Sequence, residues 1–176
     1  MYYNVAQLLK SPVGTTRNYD IAEDIARIEG MATVGTVTGH AKLVRTKRGV
    51  LVDARIDTVV VLECSRCLEA VQTPLSVHIQ EEFIPTTDIT TGLHVELDAE
   101  DDEAFRIDED HILGLEEPLR QYALLGVPLQ PLCGANCRGL CALCGANLNV
   151  TACNCREATT DERLSPLARL LGQLEV

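Results

Sequence analysis

The 176-residue sequence has no tryptophan, two phenylalanines and four tyrosines. That scarcity excludes an aromatic core, so any core must be assembled from Val, Leu, Ile and Ala, which an apolar content of 46% can supply. No apolar run approaches the ~20 residues that a membrane-spanning helix needs, which predicts a soluble protein. The opening MYYNVAQLLKSPVG lacks a basic leader, a long apolar stretch and a small-residue cleavage site, so the expected compartment is the cytoplasm. Histidine is sparse as well: His40, His78, His94 and His111 are scattered, and none lies beside a Ser or Cys in a nucleophile motif. The tail holds no HExxH or His-x-Glu arrangement, so the usual ligands of a catalytic zinc are missing. No small-molecule substrate is indicated.

Basic charge is short overall, with a formal net charge of −11. Phosphate contacts need Lys and Arg, so this balance argues against a large nucleic-acid footprint. The deficit is local, however: residues 81–117 hold fourteen acids against Arg106 alone, while the rest of the chain carries +2. The runs Glu100 to Glu103 and Asp108 to Asp110 lack the spacing of a calcium loop and read as solvated charge. Elsewhere His40, Lys42, Arg45, Lys47, Arg48 and Arg55 fall close together across a predicted hairpin and would form a small basic face.

Cysteine is what the chain has in excess. Six of the eight lie near the C-terminus as Cys133-x3-Cys137-x3-Cys141-x2-Cys144-x8-Cys153-x-Cys155, with no histidine among them. Cys141-Ala142-Leu143-Cys144-Gly145 has the form of a knuckle whose tight turn aims two thiolates at one point, with Gly145 free to take a positive φ. A four-thiolate shell suits Zn2+ at metal–sulfur distances of roughly 2.3 Å, and its binding energy can fold a segment that has little core of its own. Disulfides would need an oxidising compartment, which the N-terminus does not indicate. The expectation is a closed, structural site. Which four cysteines bind is left open: Cys141 and Cys144 with either Cys153 and Cys155 or Cys133 and Cys137.

The remaining pair, Cys64-Ser65-Arg66-Cys67, follows the clearest strand signal. Val50, Val52, Ala54, Ile56, Thr58, Val60, Leu62 and Cys64 share one parity, and the alternation resumes through Leu75, Val77, Ile79 and Phe83. Cys64 and Cys67 therefore flank a turn between strands. Thioredoxin-like pairs open a helix after a strand, so a redox role fits this context poorly. A second four-thiolate site, Cys64 and Cys67 joined by Cys133 and Cys137, is open, as is a plain tight turn. With eight cysteines the chain could hold one or two Zn2+.

Around these motifs the pattern predicts an α+β fold: an antiparallel, partly barrel-like sheet with a few short helices and a Cys-rich zinc-binding tail. Asn4 to Lys10 reads as a brief helix or arm, Thr33 to Leu43 as a strand, and Lys47-Arg48-Gly49 as a turn with Gly49 able to take a positive φ. Leu115, Leu119, Tyr122 and Ala123 repeat at helical spacing, with Pro118 in the first turn and Gly126 and Pro128 ending the helix. Ser165, Pro166 and the stripe Leu167, Leu170, Leu171 and Leu174 predict a final helix. The expected organisation is a sheet domain over 1–128, with an acidic loop at 86–111, followed by a zinc-binding tail over 129–176.

Several of these segments also resemble the YceD family of bacterial and plastid proteins, named for large-subunit ribosomal RNA accumulation. The resemblance is carried by Cys64-Ser65-Arg66-Cys67-Leu68-Glu69, Glu81 to Thr86, Asn4 to Leu9, Arg45 to Val52, Arg120-Gln121-Tyr122 and the run from Pro131 to Cys155, in the family's order. It implies a non-enzymatic factor supporting accumulation or processing of that RNA and ribosome assembly, by binding RNA or a ribosomal or assembly protein. It also implies that the Cys-rich tail is a stabilising elaboration, and that Cys64-x-Arg66-Cys67 is the better place to look for function. If RNA is bound directly, Lys42, Arg45, Lys47, Arg48 and Arg66 are the expected contacts. The competing readings are a CxxC thiol-redox or metal-dependent enzyme and a zinc-stabilised interaction scaffold.

Overall fold

The computed structural model describes residues 1–95 and 104–155, and it divides into two compact units. The first comprises Met1–Glu63 and Ala70–Pro131, and the second comprises Cys64–Glu69 and Leu132–Val176. The CSRC turn thus belongs with the cysteine-rich tail.

The first unit is mostly sheet. Its strands are β1 (Tyr2–Asn4), β2 (Thr16–Glu23), β5 (Val37–Arg45), β6 (Val50–Glu63), β7 (Ala70–Pro85), β8 (Phe105–Ile107) and β9 (Ile112–Gly114), in the spatial order β1-β9-β8-β7-β6-β5-β2. Between β2 and β5, β3 (Arg27–Ile28) and β4 (Met31–Ala32) form a small separate ribbon. Glu29 (φ 47) and Gly30 (φ 78) both take positive φ in its two-residue turn, as a type I′ hairpin requires. Every pairing in the large sheet is antiparallel except β7–β8, where Phe83 lies beside Phe105.

The predicted parity holds along the long strands. Val50, Val52, Ala54, Ile56 and Val60 are fully buried, Thr58 is 7% exposed, and Leu75, Val77, Ile79 and Phe83 face the same core. Val37, Ala41 and Leu43 supply the β5 side. Among the described residues, Phe83 is the only aromatic one of the fully buried large side chains, so this core is aliphatic, as the composition required. Each fully buried Val, Leu or Ile is worth roughly 1.5–3 kcal/mol, which makes the β5–β6–β7 face the main stabilising element.

The sheet curls into a half-barrel whose edges are sealed by side chains. Tyr3 on β1 and Tyr19 on β2 place their ring centroids 4.7 Å apart, and Arg17 donates to Gln7 Oε1 at 3.0 Å. Gln7 belongs to α1 (Ala6–Leu9), the brief helix that the opening residues predict. The second helix, α2 (Glu116–Gly126), packs on β7 with Leu119 and Ala123 buried. Pro118 sits in its first turn, and Val127, extended before Pro128, ends it.

Two expectations are corrected, and one strand is added. Residues 86–111 are not a plain loop: β8 lies within them, between β7 and β9 in the sheet, and a bridge joins Thr87 to His94. A three-residue strand with one buried side chain, Ile107, leaves almost no periodic signal. Gly49 is not among the positive-φ glycines; a Cβ there would run into the Phe83 carbonyl, so close approach of β7 demands glycine. β2 was invisible in the sequence because only Ile21 of its eight residues is buried. The acidic run at 100–103 and the final helix from Ser165 to Leu174 lie outside the described residues.

Candidate metal centres

Register shows what became of the expected basic face. Cross-strand partners run Asn18–Lys42–Asp53–Gln80 and Asp20–His40–Arg55–His78, so Asp20 and Asp53 enter the same face as Lys42 and Arg55. His78 Nε2 lies 2.7 Å from Asp53 Oδ1. Arg45 is a structural clamp: Nε donates to the Leu9 carbonyl at 3.1 Å, and Nη1 donates to the carbonyls of Thr46 and Gly49. Lys47 and Arg48 are exposed in the β5–β6 turn. The sheet therefore presents a mixed surface rather than a basic one.

The second unit gathers all eight cysteines into two groups that could each hold a metal ion: Cys64, Cys67, Cys133 and Cys137, and Cys141, Cys144, Cys153 and Cys155. Within each group the sulfurs lie within 4.8 Å of one another. In the first, Cys64 and Cys137 stand 3.8 Å apart and Cys67 and Cys133 3.6 Å. A regular tetrahedron with metal–sulfur bonds of about 2.3 Å has edges of about 3.8 Å, so these spacings fit four thiolates around one ion. Among the described residues, both groups consist of cysteine alone.

Each group is seeded by the same turn. At Cys64-Ser65-Arg66-Cys67, the Cys64 amide donates to the Glu69 carbonyl at 2.8 Å and the Leu68 amide to the Cys64 carbonyl at 2.9 Å. At Cys141-Ala142-Leu143-Cys144, the Cys141 amide donates to the Ala146 carbonyl at 2.8 Å and the Gly145 amide to the Cys141 carbonyl at 2.9 Å. The residue after the second cysteine is left-handed in both, Gly145 at φ 72 and Leu68 at φ 60. This geometry turns backbone amides toward the first sulfur. The amides of Cys67 and Arg66 draw the Cys64 thiol down to about 6, and those of Cys144 and Leu143 do the same for Cys141.

Cys137 is also drawn down, first by the Asn149 amide, whereas Cys67, Cys133, Cys153 and Cys155 move the other way. Cys133 is pushed up to about 12, first by Cys137 and Cys67 and then by burial, and Cys155 to about 12, first by Cys144 and then by burial. Four adjacent sulfurs cannot all ionise unaided, and a divalent cation at the centre would remove that conflict.

The groups are tied into the unit by residues that periodicity does not single out. Asn149 Nδ2 donates to Cys137 Sγ at 3.3 Å, while its Oδ1 accepts from the Arg138 amide at 2.7 Å. Asn147 Nδ2 donates to Glu69 Oε1 at 3.2 Å. Arg66 Nη1 donates to the Cys137 carbonyl at 3.0 Å, and the Leu140 amide donates to the Arg66 carbonyl at 3.1 Å. Gly139, at φ 73, lies against that same carbonyl. Asn147 and Asn149 stood in the family-like run, but only the fold reveals their partners.

A family model described as the large ribosomal RNA subunit accumulation protein YceD matches residues 52–171, a span holding β7 and all eight cysteines. An uncharacterized protein of Mycobacterium tuberculosis is 29% identical over 98% of this chain and 82% of its own length, and one from Mycobacterium bovis gives the same figures. A protein of Arabidopsis thaliana named large ribosomal RNA subunit accumulation protein YCED homolog 1, chloroplastic, is 27% identical over 76% of this chain and 48% of its own length. No solved structure matches the chain. With most of its length covered by one family model, the chain belongs to the YceD family.

Proposed function

We propose that the protein is a non-catalytic cytoplasmic factor that supports large-subunit ribosomal RNA accumulation and ribosome assembly, acting by binding RNA or a ribosomal protein. The observation that carries this is the family match across 52–171, together with a relative named for that role. Each cysteine quartet holds a structural Zn2+, as the all-thiolate donor set and tetrahedral spacing favour. Four thiolates leave no coordination position for water or substrate, which sets this reading apart from a metal-dependent enzyme.

The test is genetic and biochemical. Deleting the gene should lower large-subunit RNA relative to small-subunit RNA, and tagged protein should bring down large-subunit precursors or one of their proteins. An unchanged RNA ratio would reject the reading. Native mass spectrometry should find two zinc ions per chain and no disulfide; a reversible Cys64–Cys67 disulfide would instead favour the redox alternative. If RNA is contacted directly, Lys42→Glu with Lys47→Glu weakens binding, and affinity falls steeply with salt. Arg45 and Arg66 are poorer probes because their guanidinium groups hold backbone carbonyls.

A further inference from the structure

Away from the cysteines, the sheet unit carries a pocket of about 390 Å3 that the metal-site reading does not use. Tyr2, Ile112 and Gly114 line it, and the β1–β9 register, with Tyr2 opposite Gly114 and Asn4 opposite Ile112, puts them on one face. Tyr2 is 65% exposed. A Cβ on Gly114 would stand 3.1 Å from the Tyr2 ring, so glycine lets that ring lie close over the strand. The Tyr2 hydroxyl donates to Glu116 Oε2 at 2.7 Å, which fixes the ring without covering it.

Asp108 and Glu117 line the polar side, and Glu109 and Asp110, exposed outside the lining, follow Asp108 in the β8–β9 turn. Arg106 is the one base of the pocket wall. From Phe105 to Glu117 the chain holds five carboxylates and one arginine; Glu117 pairs with Arg120 and Glu116 with the Met1 amine, which leaves Asp108, Glu109 and Asp110 as the acids of the β8–β9 turn. Glu116 is held below the usual carboxylate range, first by the Tyr2 hydroxyl, and Glu117 falls to about 2, first through Arg120. Both are charged at neutral pH.

We propose that this pocket docks a basic peptide segment, an Arg- or Lys-rich stretch of a partner protein. The partner's side chain lays its aliphatic stem against Tyr2 and Ile112 and presents its cation to Asp108 and the exposed acids that follow it in the β8–β9 turn. A fixed, open aromatic face beside carboxylates matches a long cationic side chain in both its apolar and its charged parts. The same carboxylates repel phosphate, so nucleic acid is the disfavoured occupant. This rests on the assembly reading above and narrows its partner to a protein.

The test is fluorescence anisotropy of the zinc-loaded full chain with a labelled oligoarginine peptide and, in parallel, a labelled single-stranded RNA oligonucleotide. The peptide should bind and the oligonucleotide should not displace it. Tyr2→Ala, which leaves every charge in place, should weaken peptide binding about tenfold, whereas Tyr2→Phe, which keeps the ring, retains most of it. Glu109→Lys with Asp110→Lys should weaken binding by at least as much, and Asp57→Lys with Glu63→Lys, which lie opposite Ser76 and Ala70, far along β7 from Phe83, should not. Full affinity in Tyr2→Ala, equal loss in the distant charge reversal, or displacement by RNA would each overturn the proposal. Circular dichroism identifies a misfolded Tyr2→Ala, and Tyr2→Phe against the two charge reversals then decides. These readouts are independent of RNA levels in a deletion strain, so the pocket and the assembly reading can fail separately.

Discussion

The turns at Cys64–Cys67 and Cys141–Cys144 share a hydrogen-bond frame, a left-handed residue after the second cysteine and the same pull of backbone amides on the first sulfur. They differ in what completes the tetrahedron. The first turn recruits Cys133 and Cys137 from 66 and 73 residues away, and three of its four cysteines are buried. The second is completed by Cys153 and Cys155 a few residues on, and none of its members is buried. With a metal ion in each, one motif would serve two purposes: the first site would close a long chain loop, and the second would stiffen a local one. Closing a longer loop removes more chain entropy, though the dependence on length is shallow.

The largest test of that difference is to remove one ligand from each site. Cys64→Ser should reduce the metal count from two to one and strip hydrogen-exchange protection from both 64–69 and 132–140. Cys144→Ser should lose one ion with the damage confined to 141–155. Identical protection maps would show that the sites are not independent in the way the burial suggests.

Acidity gives the next largest effect. A thiol depressed to about 6 favours the folded, metal-free tail above the ordinary cysteine range, and that contribution is lost as pH falls through about 6. Acid also competes with metal for every thiolate, so metal release should steepen over the same window. At pH 7 each metal-free quartet already holds a thiolate at its first cysteine. Loading zinc should then release roughly two to three protons per ion in a weakly buffered titration. In metal-free protein, iodoacetamide at neutral pH should modify Cys141 well before Cys155, and before the fully buried Cys64.

Asn149→Ala removes the amide donor to Cys137 and the acceptor of the Arg138 amide. Affinity at the first site should fall by roughly 10- to 100-fold, the usual range for an outer-shell partner, with the second site less affected in competition with a chromophoric chelator. The smallest effect is expected at Leu68, an exposed side chain held at φ 60 where the other turn has glycine. Leu68→Gly should stabilise the tail by about 1 kcal/mol or less, and Gly145→Leu should destabilise it, both read from thermal midpoints.

Much of this was legible from local chemistry. Alternation from Val50 to Cys64 fixed the buried face of β6, because period two follows from the pleat alone. The spacing of Cys141 and Cys144 marked a knuckle, since two thiolates three residues apart converge in a single turn. The resemblance in motif order pointed to the family, which the family model supports. What escaped were features with weak local signals. β2 and β8 bury one side chain each, so pairing with their neighbours, rather than their own pattern, makes them strands. The basic cluster around Lys42 became a mixed face because Asp53 and Asp20 enter it only through cross-strand register.

The sequence by itself determined an aliphatic core, two long strands and eight thiols with the right chemistry for metal. Only the tertiary structure decided how those thiols divide into quartets, because cysteines 66 residues apart meet through the chain's path and not through their spacing. It likewise decided that the CSRC turn belongs with the tail, that Gly49 is required by the nearby Phe83 carbonyl rather than by its own dihedral, and that Tyr2 rests on Gly114 in a pocket walled by Asp108 and Glu117. Each is a contact between distant residues, and a one-dimensional pattern carries no term for it.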